Sequence, residues 1–106
     1  MLKTTMYIGL NDKNAERQLI STETAKNYVS SILIDKFDLF AFTLSECYGV
    51  YKMASTGNII HEKTLRIEIA TDDEITALDS IIRTLKTMLN QETIMVEKEV
   101  KTISFE

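Results

Sequence analysis

The chain has 106 residues, 44% hydrophobic and 26% charged, with a formal charge of -4 and a pI near 5.0. Those figures describe one globular domain, residues 1–106, and exclude a nucleic-acid binder that relies on a general positive field. A single cysteine excludes an internal disulfide, no secretory signal is visible, and no apolar run approaches the roughly 18 residues of a membrane span, so the expectation is a soluble cytoplasmic protein.

The first element is a strand, where Met6, Ile8 and Leu10 alternate with Thr5, Tyr7 and Gly9. Asn11 to Leu19 is polar and reads as a loop. A helix follows, capped by Ser21 or Thr22, with Ala25, Tyr28, Val29, Ile32, Leu33 and Phe37 at helical spacing. Alternation returns over Phe40–Lys52, predicting a second strand. The turn "STGN" and a third strand, Ile59–Ala70, complete a hairpin. Thr71 and Glu74 have capping-box spacing, predicting a second helix with Ile75, Leu78, Ile81, Ile82, Leu85, Met88 and Leu89 on one face. The closing strand loses its alternation around Glu97–Glu99, which a bulge or a short fifth strand would explain.

The order β-α-β-β-α-β predicts an α+β, ferredoxin-like fold: a four-stranded antiparallel sheet, two helices on one face, and a long hairpin between its second and third strands. Leu65, Ile67 and Ile69 face the helices, because Arg66 and Glu68 are costly to bury. A turn centred on Thr56-Gly57 pairs Leu44 with Ile69, Tyr48 with Leu65 and Cys47 with Arg66. Glu46 then lies on the helix side. The other face carries Thr43, Ser45, Cys47, Tyr51, Glu62, Thr64, Arg66 and Glu68, with Tyr7 and Met95 from neighbouring strands.

A strand of 13 residues extends about 43 Å, whereas a helix of about 15 residues covers about 22 Å. The hairpin tip should overhang the helices, exposing Val50, Tyr51, Met53, Ile59 and Ile60. An uncovered apolar ribbon favours association, so a homo-oligomer is expected.

Cys47 and His61 invite a nucleophilic pairing, but this register separates them by roughly 16 Å and points them to opposite faces. One His and one Cys form no metal cluster, and neither a metal nor a cofactor is expected. No phosphate-loop or dinucleotide motif occurs. Arg66 and Lys63, beside tyrosines, offer cations and aromatic faces to a phosphate or a base.

Three segments, "MYIGL", "YGVYKMASTGNIIHEKT" and "QETIMVEKEVKTISF", resemble an uncharacterised bacterial domain-of-unknown-function family of small ferredoxin-like proteins. The matching positions are Tyr7 and Gly9; Gly57, Glu62 and Thr64; Gln91, Glu92 and Thr93. The family brings no activity with it. The resemblance supports the fold and singles out Glu62, Gln91 and Glu92. The long central hairpin also resembles PII-like trimeric signalling proteins, which bind nucleotides between subunits, although their glycine-rich ligand loops are missing here.

The leading expectation is a non-enzymatic homo-oligomer binding a small anionic ligand, such as a nucleotide, between subunits and acting as a sensor or a sequestering sponge. Its ligand-binding residues would be Tyr7, Tyr51, Glu62, Lys63, Arg66 and Gln91, with no membrane and no long nucleic acid as partner. Two alternatives stand beside it. One is a dimeric ferredoxin-like enzyme with Glu46 or His61 as general base, in a cavity between helices and sheet. The other is a protein-interaction or inhibitor module.

Overall fold

Met6 and Ile8 alternate inward along β1 (Leu2–Gly9), which takes the centre of the sheet in a computed structural model describing residues 1–106. Two-residue strands β2 (Asn11–Asp12) and β3 (Arg17–Gln18) then form a small hairpin where a plain loop was expected. The chain continues through α1 (Thr22–Ser31), β4 (Thr43–Lys52), β5 (Ile59–Thr71), α2 (Leu78–Met88) and β6 (Met95–Val100). The main sheet has the order β4-β5-β1-β6 with every pairing antiparallel, which is the ferredoxin-like arrangement.

One sheet face and the two helices enclose the core. Met6, Ile8, Leu65 and Ile67 meet Val29 and Leu33 from the α1 side and Ile81 and Leu85 from α2, all fully buried. Ser21 caps α1, its hydroxyl accepting from Thr24 N–H at 3.1 Å. The helix then widens into a π-helical turn over Ile32–Lys36 and stops at Asp38, whose φ is 54°. Tyr28 proves half exposed, outside the buried stripe.

Four expectations need correction. Phe40 is 98% exposed and precedes β4, which starts at Thr43 once its partner Glu68 is available. The β4–β5 register is offset by two residues, with Leu44 opposite Ile67, Tyr48 opposite Lys63 and Cys47 opposite Thr64. Met53 N–H donates to Asn58 O at 2.9 Å, closing a loop in which Gly57 adopts φ 75°. Because the offset is even, every side chain keeps its predicted face.

The other two corrections concern α2 and β6. Thr71 remains the last residue of β5, opposite Leu2, so it caps nothing and α2 begins only at Leu78. The chain uses residues 72–77 to cross from the sheet to the helix layer. β6 carries no bulge: it pairs with β1 in constant register from Met95 to Val100. Its alternation slips because Lys98 lies on the helix side, where Glu74 meets its ammonium at 3.0 Å.

The overhang is present. The molecule measures 46 × 26 × 24 Å, and at the hairpin Val50, Tyr51 and Ile59 are about half exposed.

Candidate functional site

The sheet face away from the helices bears a cleft of about 810 Å³. Its floor comes from Tyr7 and Gly9 on β1, Cys47, Gly49 and Tyr51 on β4, and Glu62 and Thr64 on β5. The β2–β3 hairpin and residues 91–93 form its walls.

Glu62 is central to it. The pairing puts Gly49 directly opposite Glu62, and Gly9 beside Thr64 on the other flank. A Cβ on Gly9 would lie 2.6 Å from Glu62 Oε2 and closer still to Oε1, so only glycine admits the carboxylate there. Asn11 N–H donates to Oε2 at 3.0 Å and fixes its orientation. Gln91, itself buried, donates from Nε2 to Asn11 O at 2.6 Å and to Leu89 O at 3.2 Å. Glu62 thus has a backbone donor and a buried supporting amide, but it takes part in no ion pair.

The cleft is acidic. Asp12, Glu16, Glu62 and Glu92 line it against Lys13 alone. Asp12 is held below the usual carboxylate range, first by the Ala15 N–H and then by Asn90 and the Asn14 N–H, so it stays charged. The Tyr51 phenol is pushed upward by loss of water, and then by the Glu62 and Glu16 carboxylates. It is therefore a neutral hydrogen-bond donor at neutral pH.

Of the six residues expected to bind ligand, Tyr7, Tyr51, Glu62 and Gln91 line this cleft. Lys63 and Arg66 do not. Lys63 pairs with Tyr48 and shares the helix side of the sheet with Glu46, because strand parity turns it away from Glu62. Arg66 shares the open face but is bound to Glu68, and its guanidinium lies 5.9 Å from the centre of the Tyr7 ring. It backs the tyrosine without lining the cleft.

Glu46 is not enclosed. Its half-exposed carboxylate meets Lys26 of α1 at 2.8 Å, and that contact lowers its pKa while raising that of Lys26. No general base in a helix–sheet cavity arises from it. His61 is exposed and shares a 2.7 Å hydrogen bond with the Tyr48 hydroxyl. With Cys47 opposite Thr64, three residues along β5 from His61, the expected 16 Å separation shortens to roughly 10 Å, but the two still point to opposite faces.

Of the cleft's walls, the β2–β3 hairpin was not foreseen. "NDKN" reads as a polar loop, yet the Asp12 Oδ1 atom accepts from Asn14 N–H and Ala15 N–H, both at 2.9 Å, and shapes a tight turn. That side-chain turn signal was present in the sequence. Gly49 carried none, since its partner depends on the register.

Beside the cleft, Lys3 meets Glu68 at 2.9 Å and, with Arg66, holds its carboxyl below the ordinary 4.5. A depressed folded-state pKa stabilises the fold fully above the unfolded value and is lost as pH falls through the folded one. Replacing Glu68 by Gln should therefore reduce the loss of stability on acidification below about pH 4.5. Urea melts at neutral and acid pH check this; a drop on acidification as large as in the wild type would contradict it.

No family model matches the chain, and no curated protein matches it. Solved structures do. A phage SAM lyase in complex with S-methyl-5'-thioadenosine is 15% identical, with 92% of this chain and 79% of that one covered at a TM-score of 0.66. CutA from Synechococcus elongatus PCC7942 is 12% identical over 94% of this chain and 76% of its own, TM-score 0.62. A DUF3240 family protein from Shewanella baltica OS155 is 11% identical over 97% of both chains, TM-score 0.52. CutA is consistent with the PII-like resemblance in fold, and the DUF3240 protein shares this shape. At these identities the likeness is one of fold.

Proposed function

We propose that this chain is a homo-oligomer whose open-face cleft binds a sulfonium nucleoside of the S-adenosylmethionine class and cleaves it to S-methyl-5'-thioadenosine. The observation that carries this reading is the unpaired Glu62 carboxylate, seated between Gly9 and Gly49 in a cleft of about 810 Å³. A phosphate-bearing nucleotide, the ligand class expected from the sequence, would meet four carboxylates and one lysine there. A sulfonium and an ammonium complement that charge, while Tyr7 and Tyr51 offer faces for a base and the neutral Tyr51 hydroxyl offers a donor.

The fold likeness to a lyase solved with S-methyl-5'-thioadenosine supports the same ligand class. The chemistry needs no added activating group, because the positive sulfur leaves as a neutral thioether. The bond from sulfur to the amino-acid γ-carbon breaks and sulfur keeps the electron pair. As that bond breaks, the four-carbon fragment's own carboxylate oxygen bonds to the γ-carbon to close a lactone, or a base removes a β-proton and the C–H electrons form a β,γ double bond. Glu62 is placed to hold the positive charge or to accept that proton.

Association is supported by surface. The chain exposes 6931 Å², whereas a monomer of 12.1 kDa is expected to expose about 6,000 Å². The excess reflects an elongated shape with an uncovered apolar ribbon, the kind of surface that association covers. Its radius of gyration, 14.6 Å, exceeds the about 13 Å of a rounded domain of this length.

The test compares S-adenosylmethionine with S-adenosylhomocysteine, which lacks the positive sulfur, by calorimetry. Wild type should prefer the sulfonium roughly tenfold, about 1.4 kcal/mol, and Glu62→Gln should lose that preference. Equal affinities, or displacement of the sulfonium from the cleft by nucleoside phosphates, would contradict the reading. Binding without turnover would make the protein a sequestering sponge.

A further inference from the structure

We propose that the groove over the C-terminal half of α2 is a second binding site, one that takes a tetrahedral oxyanion such as phosphate. The groove holds about 550 Å³ and brings together Lys13, Arg83, Lys86 and Thr87, with Asp79 as its one carboxylate. Arg83, Thr87 and Asn90 follow Asp79 along one stripe of the helix and its C-terminal extension, at spacings that keep them on the same face.

None of the three cations joins an ion pair. A helix dipole favours a cation in its last turn, which accounts for Lys86. It does not account for Lys13, which arrives from the β2–β3 turn. That turn is fastened over the helix end: Lys13 N–H donates to Asn90 O at 3.1 Å, and Asn90 Nδ2 donates to Asp12 Oδ2 at 2.9 Å. In a chain of net charge -4, three cations thus converge on a groove whose lining holds one carboxylate, Asp79, while Asp12 acts on Lys13 from the cleft side. An oxyanion relieves their mutual repulsion and suits the guanidinium fork of Arg83 with the free hydroxyl of Thr87 beside it.

The groove adjoins the cleft, and Lys13 and Gln91 line both. Its ligand chemistry is the reverse of the cleft's, so the site stands whether or not Glu62 receives a sulfonium. The shared chemistry, a phosphate group, has two sources: the free inorganic anion and the phosphate of a nucleotide.

Inorganic phosphate and ADP, each titrated against chloride at constant ionic strength and followed by amide chemical shifts, test this. Saturable shifts centred on Lys13 and Arg83–Thr87 are expected. ADP binding more tightly through the same amides would identify a nucleotide phosphate; equal or weaker binding would identify the free anion. Arg83→Gln combined with Lys86→Gln should weaken phosphate by roughly tenfold or more, whereas Lys36→Gln with Lys52→Gln should not. Shifts that do not saturate or centre elsewhere, or equal weakening in both double variants, would overturn the proposal. The wild-type shift map decides even where a variant folds poorly.

Discussion

Gly9→Ala should leave the fold intact and weaken the cleft's hold on its ligand. The new methyl would occupy the volume of the Glu62 carboxylate, at 2.6 Å from Oε2. What it displaces is the far end of a flexible side chain, so Glu62 can rotate away at little cost to folding. Gly9 does not have the positive φ that would forbid alanine, and alanine removes some freedom from the unfolded chain. The change in stability should stay within about 1 kcal/mol. The loss at the site is larger. Glu62 leaves the Asn11 N–H and its place between the glycines, and binding of S-adenosylmethionine should fall by roughly tenfold or more. Urea denaturation and calorimetry on the same variant read the two effects separately. Wild-type affinity in Gly9→Ala would show that the seat of Glu62 is irrelevant to binding.

Ile67→Ala should have the opposite effect. Ile67 is fully buried at the middle of the sheet, opposite Met6 on one side and Leu44 on the other, within the cluster that includes Val29, Ile81 and Leu85. Truncation removes three carbons and leaves a cavity that both layers surround, at a cost of about 3–4 kcal/mol. That is a large share of the 5–15 kcal/mol typical of a domain. Its neighbours Arg66 and Glu68 face the other way, so the open-face cleft should keep its geometry in the molecules that remain folded. A denaturation midpoint close to wild type would place Ile67 outside the core.

These two residues show what the sequence disclosed and what it could not. The inward face of β5 was legible because Leu65, Ile67 and Ile69 alternate with charged residues, and an error of two in register preserves parity. The same parity argument put Tyr7, Tyr51 and Glu62 on one face, where they line the cleft. The same parity turns Lys63, an odd step from Glu62, to the helix side. Arg66 has the right parity, but Lys3 and Glu68 gather into a charge cluster around it that depends on the β1 pairing.

Glu46 showed the reverse difficulty. A carboxylate between Leu44 and Tyr48 on the helix side left burial or access to water open; the helix opposite supplies Lys26, and the strand is an edge open to water. The start of α2 was misplaced because Thr71 and Glu74 match a capping box locally, while pairing to Leu2 holds Thr71 extended. Tertiary pairing outweighed a local signal there. The acidity of the cleft lay beyond sequence reasoning altogether, since it requires the β2–β3 hairpin with Asp12 and Glu16 to converge with Glu62 and Glu92 from two other segments.

The most direct measurement of the central claim is chromatography of the products formed when purified protein is incubated with S-adenosylmethionine. Wild type should release S-methyl-5'-thioadenosine with turnover, and Glu62→Gln, folded by circular dichroism, should release it at least roughly a hundredfold more slowly, about 2.7 kcal/mol of lost transition-state stabilisation. Equal release by the variant, or no release by a wild-type protein that also fails to bind the sulfonium, would contradict the role assigned to Glu62 and its cleft.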